Sequence, residues 1–178
     1  MLKIKTSDNI TVCGKKKSGK SCWLKWLLAS YPKWIVVDYH WEHDKPPYPL
    51  VAVITHYANE IPQLWAKGYR KILFQPLHRT PQELDQISDI ALRIGNLAFV
   101  VEECDRFVNR WTGFKDLPRF ADIVHTGSNH YGIGLIALTR RIRNFHSDIH
   151  SQTDHVIAFY QHNVKDIESL CQEFDEKL

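Results

Sequence analysis

Short apolar runs recur along the chain, and segments with helical spacing separate them. Ile10-Thr11-Val12-Cys13 is the first run, and it ends in a loop of Gly, Lys and Ser. Trp23, Leu24, Leu27 and Leu28 then follow a 3.6-residue period, which predicts a helix over 20–29, stopped by Tyr31-Pro32. Trp34-Ile35-Val36-Val37 reads as the second strand, ending at Asp38. A Pro-rich loop over 45–49 leads to a short strand over 51–54, a short helix over 60–67 and a strand over 71–74 that Pro76 ends. Thr80-Pro81-Gln82-Glu83 is a helix start with a cap, a proline at the first position and an acid at the third. That helix runs to Ile94 and stops at Gly95-Asn96.

The second half repeats the pattern. Leu97-Ala98-Phe99-Val100-Val101 is continuously apolar, as in a strand covered on both faces. A polar and aromatic segment spans 104–118, a helix 119–125, a loop 127–132 and a strand 133–138. His155-Val156-Ile157-Ala158-Phe159 is the last strand. A final helix over 164–176, capped by Asn163, sets Ile167, Leu170, Cys171 and Phe174 on one face. Strands alternating with helices predict an α/β fold: a mainly parallel central sheet flanked by helices.

The 178 residues fit a single domain over 1–178, long enough to bury a core without staples. The net charge of +3 is too small for a protein coated in nucleic acid, but it allows a local basic groove. Cys13, Cys22, Cys104 and Cys171 form no C-x-x-C pair, which points to a reducing, intracellular setting. Met1-Leu2-Lys3-Ile4-Lys5 is no signal peptide, and no run approaches a membrane span, so membrane association would need a partner.

Gly14-Lys15-Lys16-Lys17-Ser18-Gly19-Lys20-Ser21 changes this picture, because it matches G-x-x-x-x-G-K-[ST] at every fixed position. Glycines let the backbone turn its N–H groups onto phosphates, and the helix that starts at Lys20 adds its positive dipole end. Lys20 is placed to reach the β- and γ-phosphates of ATP, and the Ser21 hydroxyl to ligate Mg²⁺. Lys15, Lys16 and Lys17 either add to the field there or form a solvated loop, with solvation favoured for at least two. The second half of such a site is an acid delivered by a buried strand. Glu102 and Glu103 close the 97–101 strand, so Glu102 is assigned to the metal and Glu103 to the general base that polarises the attacking water. Asp105 is the weaker substitute.

These two motifs, followed by His130-Tyr131-Gly132-Ile133-Gly134-Leu135-Ile136-Ala137-Leu138-Thr139-Arg140-Arg141, resemble the ordered signatures of the HerA/FtsK superfamily of P-loop ATPases. The likeness is strongest to the small viral genome-packaging ATPases, and it takes in Asp154 to Phe159 as the last core strand. It implies a RecA-like core, a homo-oligomeric ring (typically a hexamer) and ATP-driven movement of double-stranded DNA. It also implies nucleotide sites completed by a neighbour's arginine. The loop from Gly14 to Ser21, with Cys22 after it, would hold the nucleotide. The family's γ-phosphate sensor is Gln, where this chain has Arg140. The family's arginine before His130 is replaced by Ser128 and Asn129, so Arg119, Arg141 and Arg143 are the candidates for the trans-acting arginine. A capsid vertex protein as partner, and the host cytoplasm or virion as location, follow from the same resemblance. A conjugation- or chromosome-type DNA pump and a small P-loop kinase are the alternatives. A ring-forming module that binds ATP without hydrolysis is a third class.

Weaker patterns carry less. Arg106, Arg110, Lys115 and Arg119 interleave with Phe107, Trp111, Phe114 and Phe120, either as a pore or subunit-seam segment or as a half-buried helix with a solvated basic face. His40 and His43, and likewise His146, Asp148 and His150, match no zinc signature. Gly132-Ile133-Gly134-Leu135-Ile136-Ala137 matches a dinucleotide pattern but lies at a strand start, where that mechanism fails. Asp38 sits at a strand end on the loop's side of the sheet.

Overall fold

The computed structural model describes residues 4–45 and 50–174. Seven strands form one sheet: β1 (Ile10–Cys13), β2 (Trp34–Val37), β3 (Val53–Thr55), β4 (Lys71–Phe74), β5 (Ala98–Val101), β6 (Gly134–Thr139) and β7 (His155–Ala158). Their order is β3-β4-β2-β5-β6-β1-β7, and every pairing is parallel. Parallel neighbours need crossovers, which here are mostly helices: α1 (Lys20–Ser30), α2 (Ile61–Ala66), α3 (Pro81–Ile94), α4 (Pro118–Thr126) and α5 (Ser147–Ser151), with α6 (Val164–Phe174) after the last strand.

Side chains alternate across the strands and feed two cores. Cys13, Val37, Phe74, Phe99, Val101 and Ala137 join residues of α2 to α5 on one face. Val12, Val36, Leu73, Val100 and Leu138 meet Leu24, Leu27 and Leu28 of α1 on the other. Burial of such side chains stabilises by about 1.5–3 kcal/mol each, which explains why the central strands are apolar throughout rather than alternating.

Several boundaries differ from the sequence expectation. The short strand expected over 51–54 is Val53–Thr55, because its pairing with β4 begins at Val53↔Ile72, and Val51 is left exposed. β6 runs from Gly134 to Thr139 rather than over 133–138. Its first residue must be glycine. A Cβ at Gly134 would stand 2.2 Å from the Thr6 carbonyl oxygen and 2.7 Å from that of Asp8. The Gly132/Gly134 pair thus serves chain packing. The loop expected over 127–132 is a π-helical turn, Gly127–Tyr131, that extends α4. α5 was not expected, since five residues are too few to display a helical period.

The final helix shows the largest departure. Asn163 caps it through Lys165 N, as expected, but Val164 and Ile167 are exposed and Leu170 is only half-buried. Among its described side chains the buried one is Asp166, which turns inward to pair with Arg141 at 3.7 Å. Helix residues past 174, the Phe174 side chain and the core of the Pro-rich loop (46–49) lie outside the described residues. No described helix is long and apolar enough to cross a membrane.

Candidate nucleotide-binding site

The phosphate loop sits where its sequence predicts, between the end of β1 and the start of α1. Gly14 has φ +155°, and a Cβ there would lie 2.7 Å from both Phe159 Cβ and Ser18 Oγ. The loop is anchored on the chain after β7, because Lys15 N donates to the Tyr160 carbonyl and Phe159 N to that of Cys13. Gly19 stands at the N-cap of α1 with φ +107°, no side chain caps the helix, and no acid lies in its first turn. The free N–H groups and the dipole end therefore face the loop uncompensated, as an anion site requires.

Lys20 folds back onto this loop, its Nζ donating to the carbonyls of Gly14 at 2.5 Å and Lys15 at 3.0 Å. Burial, followed by the charge of Arg140, lowers its pKa from the ordinary lysine value. Lys16, Lys17, Lys20 and Ser21 line a cleft of about 70 Å³ with Glu102, Glu103 and Arg140, so the two sequence motifs and Arg140 share one site. Lys16, Lys17, Ser18 and Cys22 also line a neighbouring cleft of about 350 Å³. Lys15 is exposed and rests over the Tyr160 ring at 4.4 Å, away from both clefts.

The acids arrive at the end of β5, beside the end of β2, through the register Val37↔Val101. Glu102 is buried, whereas Glu103 adopts φ +47°, a left-handed conformation that is costly for a residue with a Cβ. The kink turns the neighbouring carboxylates in different directions. Glu102 Oε1 pairs with His43 Nε2 at 2.7 Å. Glu103 Oε2 pairs with His40 Nε2 at 2.7 Å and with Arg106 at 3.3 Å, and Glu103 Oε1 pairs with Arg140. Burial acts to raise the Glu103 pKa, but the His40 hydrogen bond and the charges of His40, Arg140 and Arg106 outweigh it, leaving the carboxyl below its ordinary value.

Behind Glu102, Asp38 is fully buried at the end of β2. It accepts from the backbone N–H groups of Glu42 and His43 and from Gln75 Nε2. Burial, the His43 charge and these bonds together set the Asp38 pKa below its ordinary value, the last two outweighing the first. His43 is fully buried too, and although burial alone would lower its pKa, the Glu102 and Asp38 charges raise it. Asp38, His43 and Glu102 have ligand atoms within 4.8 Å of one another. They form a hydrogen-bonded network rather than a transition-metal centre, because three N–H donors already occupy Asp38.

The donor set fits Mg²⁺. Glu102 Oε2 is buried without a hydrogen-bond partner among the described residues, and the Ser21 hydroxyl lines the same cleft. Hard oxygen donors suit that ion. Burial pushes the Asp105 carboxyl up, so it is poorly suited to a metal. Of the arginine candidates, Arg119 is bound to Asp89 and Asp122 within its own chain, and Arg141 pairs with Asp166. Arg143 lies in the 3-10 turn Ile142–Asn144. The basic and aromatic segment is not one helix. Phe107 and Phe120 enter the core, while Trp111 is exposed with Arg110 over its ring.

His40 and His43 are the site residues that motif reading missed. Their H-x-x-H spacing fits no metal signature, and only the placement of β2 beside β5 brings them to the acids.

No family model matches the chain, and no curated protein matches it. Solved structures do. The genome-packaging NTPase B204 of Sulfolobus turreted icosahedral virus 2, in complex with AMPPCP, has a TM-score of 0.77 at 18% identity, over 98% of this chain and 85% of that one. B204 of Sulfolobus turreted icosahedral virus, described as a DNA-packaging ATPase, gives 0.72 at 18% identity, over 96% and 83%. The cytoplasmic domain of EssC gives 0.61 at 14% identity, over 95% of this chain but 34% of that one. A seven-stranded parallel sheet with the phosphate loop after β1 and the acid pair after β5 is the P-loop NTPase fold, in the form that these packaging NTPases share.

Proposed function

We propose that this chain is an ATPase that drives double-stranded DNA, as the motor subunit of a viral genome-packaging machine. The observation that carries the reading is the convergence of Lys20, Ser21, Glu102, Glu103 and Arg140 on one cleft of a packaging-NTPase fold. The α1 N-terminus and the loop amides bind the phosphates, Lys20 leaves the Gly14 carbonyl to reach them, and Ser21 with Glu102 would hold Mg²⁺. When bound, that ion would supply charge neutralisation to the phosphates. Arg140 exchanges Glu103 for the γ-phosphate, so it serves as the sensor that is Gln in the family. Glu103, freed of that cation, accepts the proton of the attacking water. A homo-oligomeric ring, a hexamer as in the family, would supply a neighbour's arginine. A capsid vertex protein would dock the ring, in the host cytoplasm or the virion.

Turnover of ATP by purified protein, with and without double-stranded DNA and beside Glu103→Gln, tests this. Loss of a general base typically costs 10²–10⁴-fold, so DNA-stimulated turnover should fall by about 100-fold or more in the variant while nucleotide binding persists. Turnover indifferent to DNA would remove the pump and leave the ATPase. Nucleotide binding without hydrolysis would leave a ring-forming module.

A further inference from the structure

The loop that follows β2 does something the phosphate-loop chemistry does not itself require. His40 and His43, three residues apart, each grip one of two adjacent acids on another strand: His40 Nε2 holds Glu103 Oε2 and His43 Nε2 holds Glu102 Oε1, both at 2.7 Å. We propose that this loop is a positioning clamp in which His43 fixes the metal-side acid and His40 fixes the water-side acid. The inference rests on the ATPase reading for what the two acids do.

The loop is built to hold these positions. Asp38 takes the backbone N–H groups of Glu42 and His43 at 3.2 and 3.1 Å, which bends the chain back over the end of β2. Gln75, just after β4, donates to Asp38 Oδ2 at 3.3 Å, the oxygen that also takes the His43 N–H. The His43 carbonyl accepts from Leu50 N at 2.7 Å, and the Trp41 ring packs on His56. Burying a carboxylate, an imidazole and a second carboxylate together is expensive unless each is paired, and an apolar filling would be the cheaper way to close this core. The arrangement also divides labour. With Oε1 of Glu102 paired to His43, Oε2 is left without a partner among the described residues, and Glu102 lines the same cleft as Ser21. With Glu103 anchored by His40, its carboxylate stays within reach of Arg140 when the backbone is already committed to φ +47°. Partners that orient metal ligands typically change affinity or activity by 10–100-fold when removed.

The test uses the full chain with His43→Leu, His43→Gln, His40→Leu and His40→Gln. Gln keeps a donor that can reach a carboxylate, and Leu does not. The first readout is ATP binding titrated against Mg²⁺, which needs no turnover. His43→Leu should leave metal-free ATP binding unchanged and raise the Mg²⁺ needed for half-maximal binding by about 10-fold or more, with recovery in His43→Gln. The second readout is steady-state turnover. His40→Leu should lower kcat by about 10–100-fold with KM unchanged, again with recovery in His40→Gln. Equal loss of metal-free and Mg²⁺-dependent binding in His43→Leu, or no rescue by Gln at either position, would overturn the clamp. Should His43→Leu fail to fold, the half-exposed His40 carries the test, and a His40→Leu variant with unchanged kcat overturns it. Absence of turnover in the unmutated protein would sink the ATPase reading, while the Mg²⁺ titration would still decide the His43 half.

Discussion

At the scale of single residues, buried polar groups carry most of the information. His150 in α5 is one that the nucleotide site does not use. It lies edge-on to Phe145 at 5.5 Å, and burial brings its pKa down from 6.5 to about 4. A histidine held neutral in the folded chain binds fewer protons than the unfolded chain between those values. The stability it contributes is therefore complete above pH 6.5 and is lost as pH falls toward 4. The shift corresponds to about 3 kcal/mol at most. Urea unfolding at about pH 7 and about pH 4.5, for the parent and His150→Leu, should show the variant losing markedly less stability between the two. Equal losses would show that His150 does not set the acid sensitivity. Individual residues were also unevenly legible. Gly14, Lys20 and Ser21 declare themselves because phosphate chemistry fixes their spacing. His40 and His43 do not, because their partners lie about 60 residues on in Glu102 and Glu103, and only strand order joins them.

At the scale of elements, local signals proved reliable where they were complete. Thr80 accepts from Glu83 N at 3.3 Å while Glu83 Oε2 accepts from Thr80 N at 3.1 Å, the reciprocal box that Thr80-Pro81-Gln82-Glu83 announces. Thr80→Ala removes one of these bonds and should destabilise the fold by about 1 kcal/mol, read as a lower urea midpoint at an unchanged slope. No change would mean that packing against α4 alone fixes the start of α3. The central strands were legible for the same reason: Ala98–Val101 is apolar at every position because both faces are covered. The misplaced edges have physical causes that a linear pattern does not hold. Val53–Thr55 is an edge strand set by its pairing with β4, and the turn Gly127–Tyr131 continues a helix through residues whose composition reads as loop.

At the scale of the whole molecule, the helix that departs most from its pattern bears on assembly. α6 turns Asp166 inward to Arg141 and leaves Val164 and Ile167, one turn apart, exposed, with Tyr160 exposed just before them. This cluster follows β7, the edge strand next to β1, and Tyr160 supports the phosphate loop through its carbonyl and through Lys15 over its ring. An apolar surface tied to the nucleotide loop is where a ring whose sites lie between subunits would make its contacts. If the proposed ring forms through this face, Ile167→Glu places a charge in a desolvated seam and should shift the protein to monomer in sedimentation velocity, at a concentration where the parent assembles. Ile167 is 43% exposed and contributes little to the core, so the thermal midpoint should hold. Nucleotide binding should persist too, while DNA-stimulated turnover falls, since a neighbour's arginine no longer reaches the cleft. A variant that assembles as the parent does would assign the ring contacts to another face. A variant that loses its thermal midpoint would show instead that α6 belongs to the fold of the single chain.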